Sequence, residues 1–254
     1  MTSVLVTEMA EGVLTMRLNR PEKRNALNTE LRNALVQGME QAGEDPNVRV
    51  LILTGTGNTF CAGADLSEYK STLDNPQPLI DQYRRTNLLA DTFHRMQGLG
   101  KPVIGQINGY ALAGGCGLAL ACDLLVASDQ AQFGFPEVNH GLVAALVMVQ
   151  LSRMVGRKKA LELLLLGNRI SAEEALQLGL VNRVVPHERL AEETRALAVE
   201  LAKKPPMAMQ LTKDLFYAVE DAPTAPGLQA ARAVNLLARQ DRDFYEGATR
   251  FLQR

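Results

Sequence analysis

Apolar and polar positions change rhythm several times along the chain, and each change marks an element. Residues 4–7 (VLVT) and 13–18 (VLTMRL) are short, β-branched apolar runs separated by Glu11-Gly12, which predicts a hairpin. Asn28 stands just before TELRNALVQGMEQA, where Leu31, Leu35, Met39 and Ala42 fall on one face of a helix that Asn28 can cap. VRVLILTG, ending at Gly55, is a continuous apolar run closed by glycine, the pattern of a strand buried on both faces. A polar stretch to about Pro78 leads into a helix that ends near Gly98. KPVIGQI reads as another buried strand, ALAGGCGLALAC as a helix with a glycine-rich entry, and DLLVAS as a further strand.

Strands alternating with helices predict an α/β fold class. After GLVNRVV the rhythm changes. From Pro186 to Arg254 only helical periodicity is present, punctuated by Pro205-Pro206 and by DAPTAPG. The change puts a boundary near 190–205, with a core over residues 1–195 and a helical region over 196–254.

Composition narrows the function classes. The 254 residues are 46% hydrophobic and 22% charged, with no Trp and 5% aromatics, so an ordinary core built from aliphatic side chains is expected. A net charge of −1 supplies no electrostatic reason to expect nucleic acid or an anionic membrane as partner. Cys61, Cys116 and Cys122 are odd in number and lack metal-ligand spacing; Cys116 and Cys122, in a small-residue helix, read as buried small hydrophobes, and a reducing, cytoplasmic compartment fits best. The first residues lack a basic region followed by an apolar core, which argues against a signal peptide. Charged residues interrupt every apolar stretch before membrane-spanning length.

Two glycine-bearing stretches compete as the functional site. VLILTGTGNTF runs from a strand into Gly55-Thr56-Gly57, but Phe60 stands where a dinucleotide fingerprint needs its third glycine, so a plain turn is expected there. In ALAGGCGLALACD, Ala113, Gly114 and Gly115 lie at the entry to a helix, whose first N–H groups have no partners of their own and attract negative charge. Missing side chains let a substrate oxygen approach those amides. A second donor is available in FCAGADL, where Gly63-Ala64 follows a strand. Two amides from separate loops that meet on one carbonyl oxygen form an oxyanion hole.

RNALN (24–28), FCAGADL (60–66), INGYALAGGCGLALACDLLVAS (107–128) and FGFPEVNHG (133–141), in this order, resemble the crotonase (enoyl-CoA hydratase/isomerase) superfamily. The resemblance implies a spiral of ββα turns with a C-terminal α-helical trimerisation region, and therefore a homotrimer or a dimer of trimers. It implies an acyl-CoA thioester substrate of fatty-acid or branched-acid catabolism, an enolate held by the N–H groups of Ala64 and Gly114, and no metal or redox cofactor beyond the substrate's own CoA. Glu137 matches the catalytic glutamate that ends the family's FGxPE motif. The second glutamate of the hydratases falls at Gly117, and a carboxylate used by dehalogenase-like relatives falls at Ala145, so both are missing.

Hydration needs an acid and a base, whereas one carboxylate suffices to carry a proton between two carbons. The lone Glu137 therefore favours isomerisation of a 3-enoyl to a 2-enoyl thioester. The alternatives are a hydratase with a substitute second acid/base, for which His140 is the candidate, and a catalytically weak acyl-CoA- or RNA-binding relative. By the same resemblance Lys23 and Arg24 face the CoA phosphates, Ala26, Leu27 and Ala62 line the pantetheine and adenine path, and Phe251 and Arg254 match residues lent to a neighbour's CoA site. Asp65 is expected to cap a helix, Asp123 to hold local backbone, and residues 67–98 to form the variable wall of the acyl pocket.

Overall fold

The computed structural model describes residues 3–74 and 78–253. The chain opens with β1 (Leu5–Ala10) and β2 (Val13–Leu18), an antiparallel hairpin. Its turn residues Glu11 and Gly12 both have positive φ, 52° and 77°, and such a turn matches the twist of its strands. Helix α1 (Thr29–Glu44) follows, with the Asn28 side chain accepting from Leu31 N at 2.9 Å. Leu31, Leu35, Met39 and Ala42 are all 1% exposed or less, so the expected face is the buried one.

The rest of the core repeats one unit: a strand in a large sheet, a short strand in a small sheet, then helix. The first turn runs β3 (Val50–Gly55), β4 (Thr59–Cys61), α2 (Leu66–Asp74) and α3 (Leu79–Gln97). The second is β5 (Val103–Ile107), β6 (Tyr110–Leu112) and α4 (Gly114–Leu120). The third is β7 (Leu124–Ser128), β8 (Gln132–Gly134), a 3-10 turn over Pro136–His140, α5 (Ala145–Met154) and α6 (Arg157–Leu166). Then come β9 (Arg169–Ser171), α7 (Ala172–Gln177), β10 (Arg183–Val185) and α8 (Leu190–Ala202).

Strands β1-β2-β3-β5-β7-β10 make the large sheet, parallel from β2 onward, and β4-β6-β8-β9 make the small one. The small-sheet strands have three residues each, too few for periodicity to reveal, and apart from the strand expected ahead of Gly63-Ala64 no sequence pattern announces them.

Burial follows from this layering. Val50, Ile52, Ile104 and Val126 pack against Leu190, Leu197 and Ala198 of α8, while Leu51, Leu53, Val103 and Ile107 face the main core. A strand covered on both sides needs both sets of residues apolar, which is why VLILTG shows no alternation. After Pro205-Pro206 come α9 (Pro206–Val219), α10 (Thr224–Ala238) and α11 (Arg242–Leu252). No helix among the described residues is long and apolar enough to cross a membrane.

Candidate active site

Between β4 and α2 the chain makes one isolated parallel bridge, Leu27 with Ala64. Leu27 N donates to Gly63 O at 2.8 Å, and Asp65 N donates to Leu27 O at 3.2 Å. Both groups that flank Ala64 are thus spent on Leu27, and the N–H of Ala64 itself points to the opposite side. On that side lies the entry to α4. Ala113 turns the chain there with φ 51° and ψ −130°, a sparsely populated conformation for a residue with a side chain.

The two loops press together backbone to backbone. Gly63, at φ 97°, has no room for a side chain: a Cβ would stand 2.8 Å from Ala113 Cβ and 3.3 Å from Gly114 N. A Cβ on Gly114 would lie 4.0 Å from Ala64 N. Among the described residues, neither Ala64 N nor Gly114 N has a protein acceptor, and both residues line one cavity of about 370 Å³. The two amides named from the sequence are therefore neighbours with free N–H groups.

Glu137 lines the same cavity. Pro136 starts the 3-10 turn that carries it, and Gly141, at φ 69°, ends that turn. The Glu137 side chain is half-buried, its Oε2 is shielded from solvent, and no hydrogen-bond partner meets that oxygen among the described residues. Burial pushes the carboxyl above the ordinary carboxylate range, with a backbone hydrogen bond acting in the opposite direction.

The other carboxylates on the cavity wall are engaged. Asp65 pairs with Arg20 at 2.9 Å and caps α2, its Oδ1 accepting from Ser67 N at 3.1 Å and Ser67 Oγ at 2.6 Å. The Ser67 hydrogen bond first, then Arg20, hold Asp65 below its usual value against a partial burial that raises it. Glu68 pairs with Arg32 at 2.9 Å and accepts from Thr29 N at 2.7 Å.

At Gly117, where the family's hydratases carry a glutamate, a Cβ would stand 2.7 Å from Phe93 Cζ and 3.0 Å from Val147 Cγ2. The space is already filled with hydrocarbon, and Leu89, Leu142 and Val147 extend that wall into the cavity. Ala145, the second empty carboxylate position, lines it too. His140 is exposed, on the same wall as Glu137.

Of the residues expected on the CoA path, Leu27 and Ala62 line the cavity. Lys23 and Arg24 are exposed on the turn before Ala26 and stand outside the lining, and the Ala26 carbonyl accepts from Arg20 Nη1. Phe251, on α11, is 78% exposed. Arg254 and residues 75–77 lie outside the described residues.

The three cysteines are buried, and burial pushes the Cys61 and Cys116 thiols up to about 12. Asp123 accepts from Val103 N at 2.6 Å, as expected of a backbone anchor. It also pairs with Lys213 at 2.7 Å and accepts from Tyr217 OH at 2.9 Å. Sequence reading missed those two partners, as it missed Arg20 and Phe93. Each acts across the fold from a helix face or turn whose local pattern is ordinary, and the lone lysine of α9 was the one available signal.

The ββα spiral with two opposed free amides over one cavity defines a crotonase-type enzyme. The chain belongs to the enoyl-CoA hydratase/isomerase family, whose model matches residues 8–254. It is 36% identical over 258 residues to the 2,3-dehydroadipyl-CoA hydratase of Escherichia coli, covering 99% of this chain and 96% of that protein. It is 34% identical over 255 residues to the 1,2-epoxyphenylacetyl-CoA isomerase of the same species, with 99% and 96% covered. The crystal structure of an enoyl-CoA hydratase from Mycobacterium smegmatis superposes with a TM-score of 0.94 at 35% identity, covering 99% of this chain and 97% of that one.

Proposed function

We propose that the protein isomerises a 3-enoyl-CoA to a 2-enoyl-CoA, with Glu137 as the one proton shuttle. The Glu137 carboxylate removes a proton from C2 of the thioester. Charge flows onto the thioester oxygen, where the N–H groups of Ala64 and Gly114 receive it. The resulting Glu137 carboxylic acid returns the proton to C4 as the double bond moves into conjugation. Loss of one such donor typically raises the barrier by about 3 kcal/mol.

The observation that carries this reading is the pairing of an unpartnered, desolvated Glu137 with a hydrocarbon-filled position at Gly117. A carboxyl raised above its usual range is a stronger base when ionised, which suits it to take the proton and return it. The shuttle needs only the substrate's own thioester and this one side chain. Leu27 and Ala62 would line the CoA path. Lys23 and Arg24, exposed nearby, would meet CoA phosphates at its outer end.

A second reading, hydration with His140 as the other acid/base, is favoured by His140 lining the same cavity. Incubation with 3-enoyl- and 2-enoyl-CoA panels in heavy-oxygen water separates the two. A shifted double bond without label supports isomerisation, and label in the product supports hydration. Turnover of no thioester would leave an acyl-CoA-binding module.

Exposed apolar residues on the C-terminal helices, Phe216, Leu228, Leu236, Phe244 and Phe251, support assembly into trimers through residues 196–254. Sedimentation at micromolar concentration tests this. Buried, unpaired thiols fit a reducing cytoplasmic setting.

A further inference from the structure

The amide of Ala64 is aimed by a bridge of one residue pair, and a single guanidinium grips both sides of that bridge. Arg20 Nη2 donates to Asp65 Oδ2 at 2.9 Å, and Arg20 Nη1 donates to the carbonyl of Ala26. Asp65 immediately follows Ala64, and Ala26 immediately precedes Leu27. The ion pair is shielded, with side-chain exposures of 12% for Arg20 and 7% for Asp65.

The base of the fork is held as well. Arg20 N donates to Asn25 Oδ1 at 3.0 Å, and Asn25 N donates to Arg20 O at 2.8 Å. Asn25 is wholly buried and passes its Nδ2 hydrogens to the carbonyls of Thr56 at 3.0 Å and Thr59 at 2.7 Å. Arg20 is therefore tied to the turn before β4 and reaches across to both partners of the Leu27–Ala64 bridge.

We propose that Arg20 is a positioning residue for the reaction, a clamp that sets the spacing of the Ala26-Leu27 and Ala64-Asp65 backbones and so aims the Ala64 N–H at the substrate carbonyl. The inference rests on the acyl-CoA reading above. A planar guanidinium satisfies two acceptors in fixed directions, which a single ammonium cannot do. The clamp touches no reacting atom, so its loss misaligns one oxyanion donor and, through Ala26-Leu27, loosens one edge of the CoA path. Misplacement of about 1 Å costs up to about 100-fold in rate. The deficit belongs in kcat, because the donor matters most when the oxygen carries charge.

The test compares wild type with Arg20→Met, Arg20→Lys and Asp65→Asn. The last keeps an Oδ1 to accept from Ser67 while removing the charge that faces Arg20. Thermal melts establish that each variant is folded. Turnover is measured on a 3-enoyl-CoA, and infrared difference spectra are recorded with butanoyl-CoA carrying carbon-13 at the thioester carbonyl. This saturated probe binds without reacting, and its carbonyl stretch reports the pull of the donors.

The clamp predicts that Arg20→Met lowers kcat about 10- to 100-fold, with a smaller rise in KM because Ala26-Leu27 lies along the CoA path. The bound carbonyl band should move back toward its frequency in water, with Arg20→Lys and Asp65→Asn intermediate on both measures. A folded Arg20→Met with wild-type kcat and carbonyl band overturns the inference, as does a loss confined to KM. Should Arg20→Met fail to fold, Asp65→Asn decides by the same two readings. If the wild-type protein neither turns over a thioester nor shifts the butanoyl-CoA band, the acyl-CoA reading itself falls and takes the clamp with it.

Discussion

Glu137 shows how one side chain can be costly to the fold and useful to the chemistry. Its Oε2 is out of water without a partner, an arrangement that favours the protonated form. The native state therefore holds its proton more tightly than the unfolded chain, whose carboxyl titrates near about 4.3. Native stability is fully present below that value and declines as pH rises through the raised native pKa. Glu137→Gln removes this decline. Its urea midpoint should exceed the wild-type midpoint by a margin that grows with pH through this window and then levels off. Turnover of the same variant should fall by about 10²- to 10⁴-fold. The acidic limb of the wild-type kcat/KM profile should lie above the usual carboxylate range.

Gly117 carries the complementary residue-scale prediction. Gly117→Glu drives a carboxylate into Phe93 and Val147, and overpacking of this kind costs about 1–3 kcal/mol before the buried charge is counted. Combining it with Phe93→Ala opens the space, and heavy-oxygen label should then enter the product. Unlabelled product from a well-folded double variant would show that a second carboxylate is not what separates the two chemistries here.

At the scale of elements, legibility followed length and locality. Helix α1 was readable because its four core residues repeat at helical spacing and its cap stands next to it. Asn28→Ala removes the bond to Leu31 N and should cost about 1 kcal/mol, lowering Tm by about 2–4 °C in a melt followed by circular dichroism. β3, β5 and β7 were readable as largely apolar runs. β6, β8 and β9 were not, and β4 showed only as a strand ahead of Gly63-Ala64, because a strand of three residues is held by its neighbours in the sheet rather than by its own pattern. Three of these short strands deliver the site: β4 leads to Ala64, β6 to Gly114 and β8 to Glu137.

Across the whole molecule, the C-terminal helices are fastened to the core by charge as well as by packing. Lys213, from α9, donates to Met96 O at 2.7 Å, to Lys101 O at 2.9 Å and to Asp123 Oδ2 at 2.7 Å. One ammonium thus joins the end of α3, the approach to β5 and the segment after α4. Tyr217 OH, one turn further along α9, donates to the same carboxylate, and burial first, then the Asp123 charge, push its phenol well above the ordinary range. Lys213→Met leaves Asp123 without its counter-charge and should destabilise the protein by about 3 kcal/mol in urea unfolding. Adding Asp123→Asn should recover part of that loss, since the carbonyl oxygen of Asn can still accept from Val103 N.

By itself the sequence determined the long helices, the buried strands and the family, because helical spacing, apolar runs and four ordered motifs are properties of neighbouring residues. Tertiary structure alone decided which groups meet: Leu27 with Ala64, Arg20 with both sides of that bridge, Phe93 with the face of Gly117, and Lys213 with Asp123. Those encounters join positions far apart along the chain. They depend on sheet register and helix packing, to which each local segment contributes only a part.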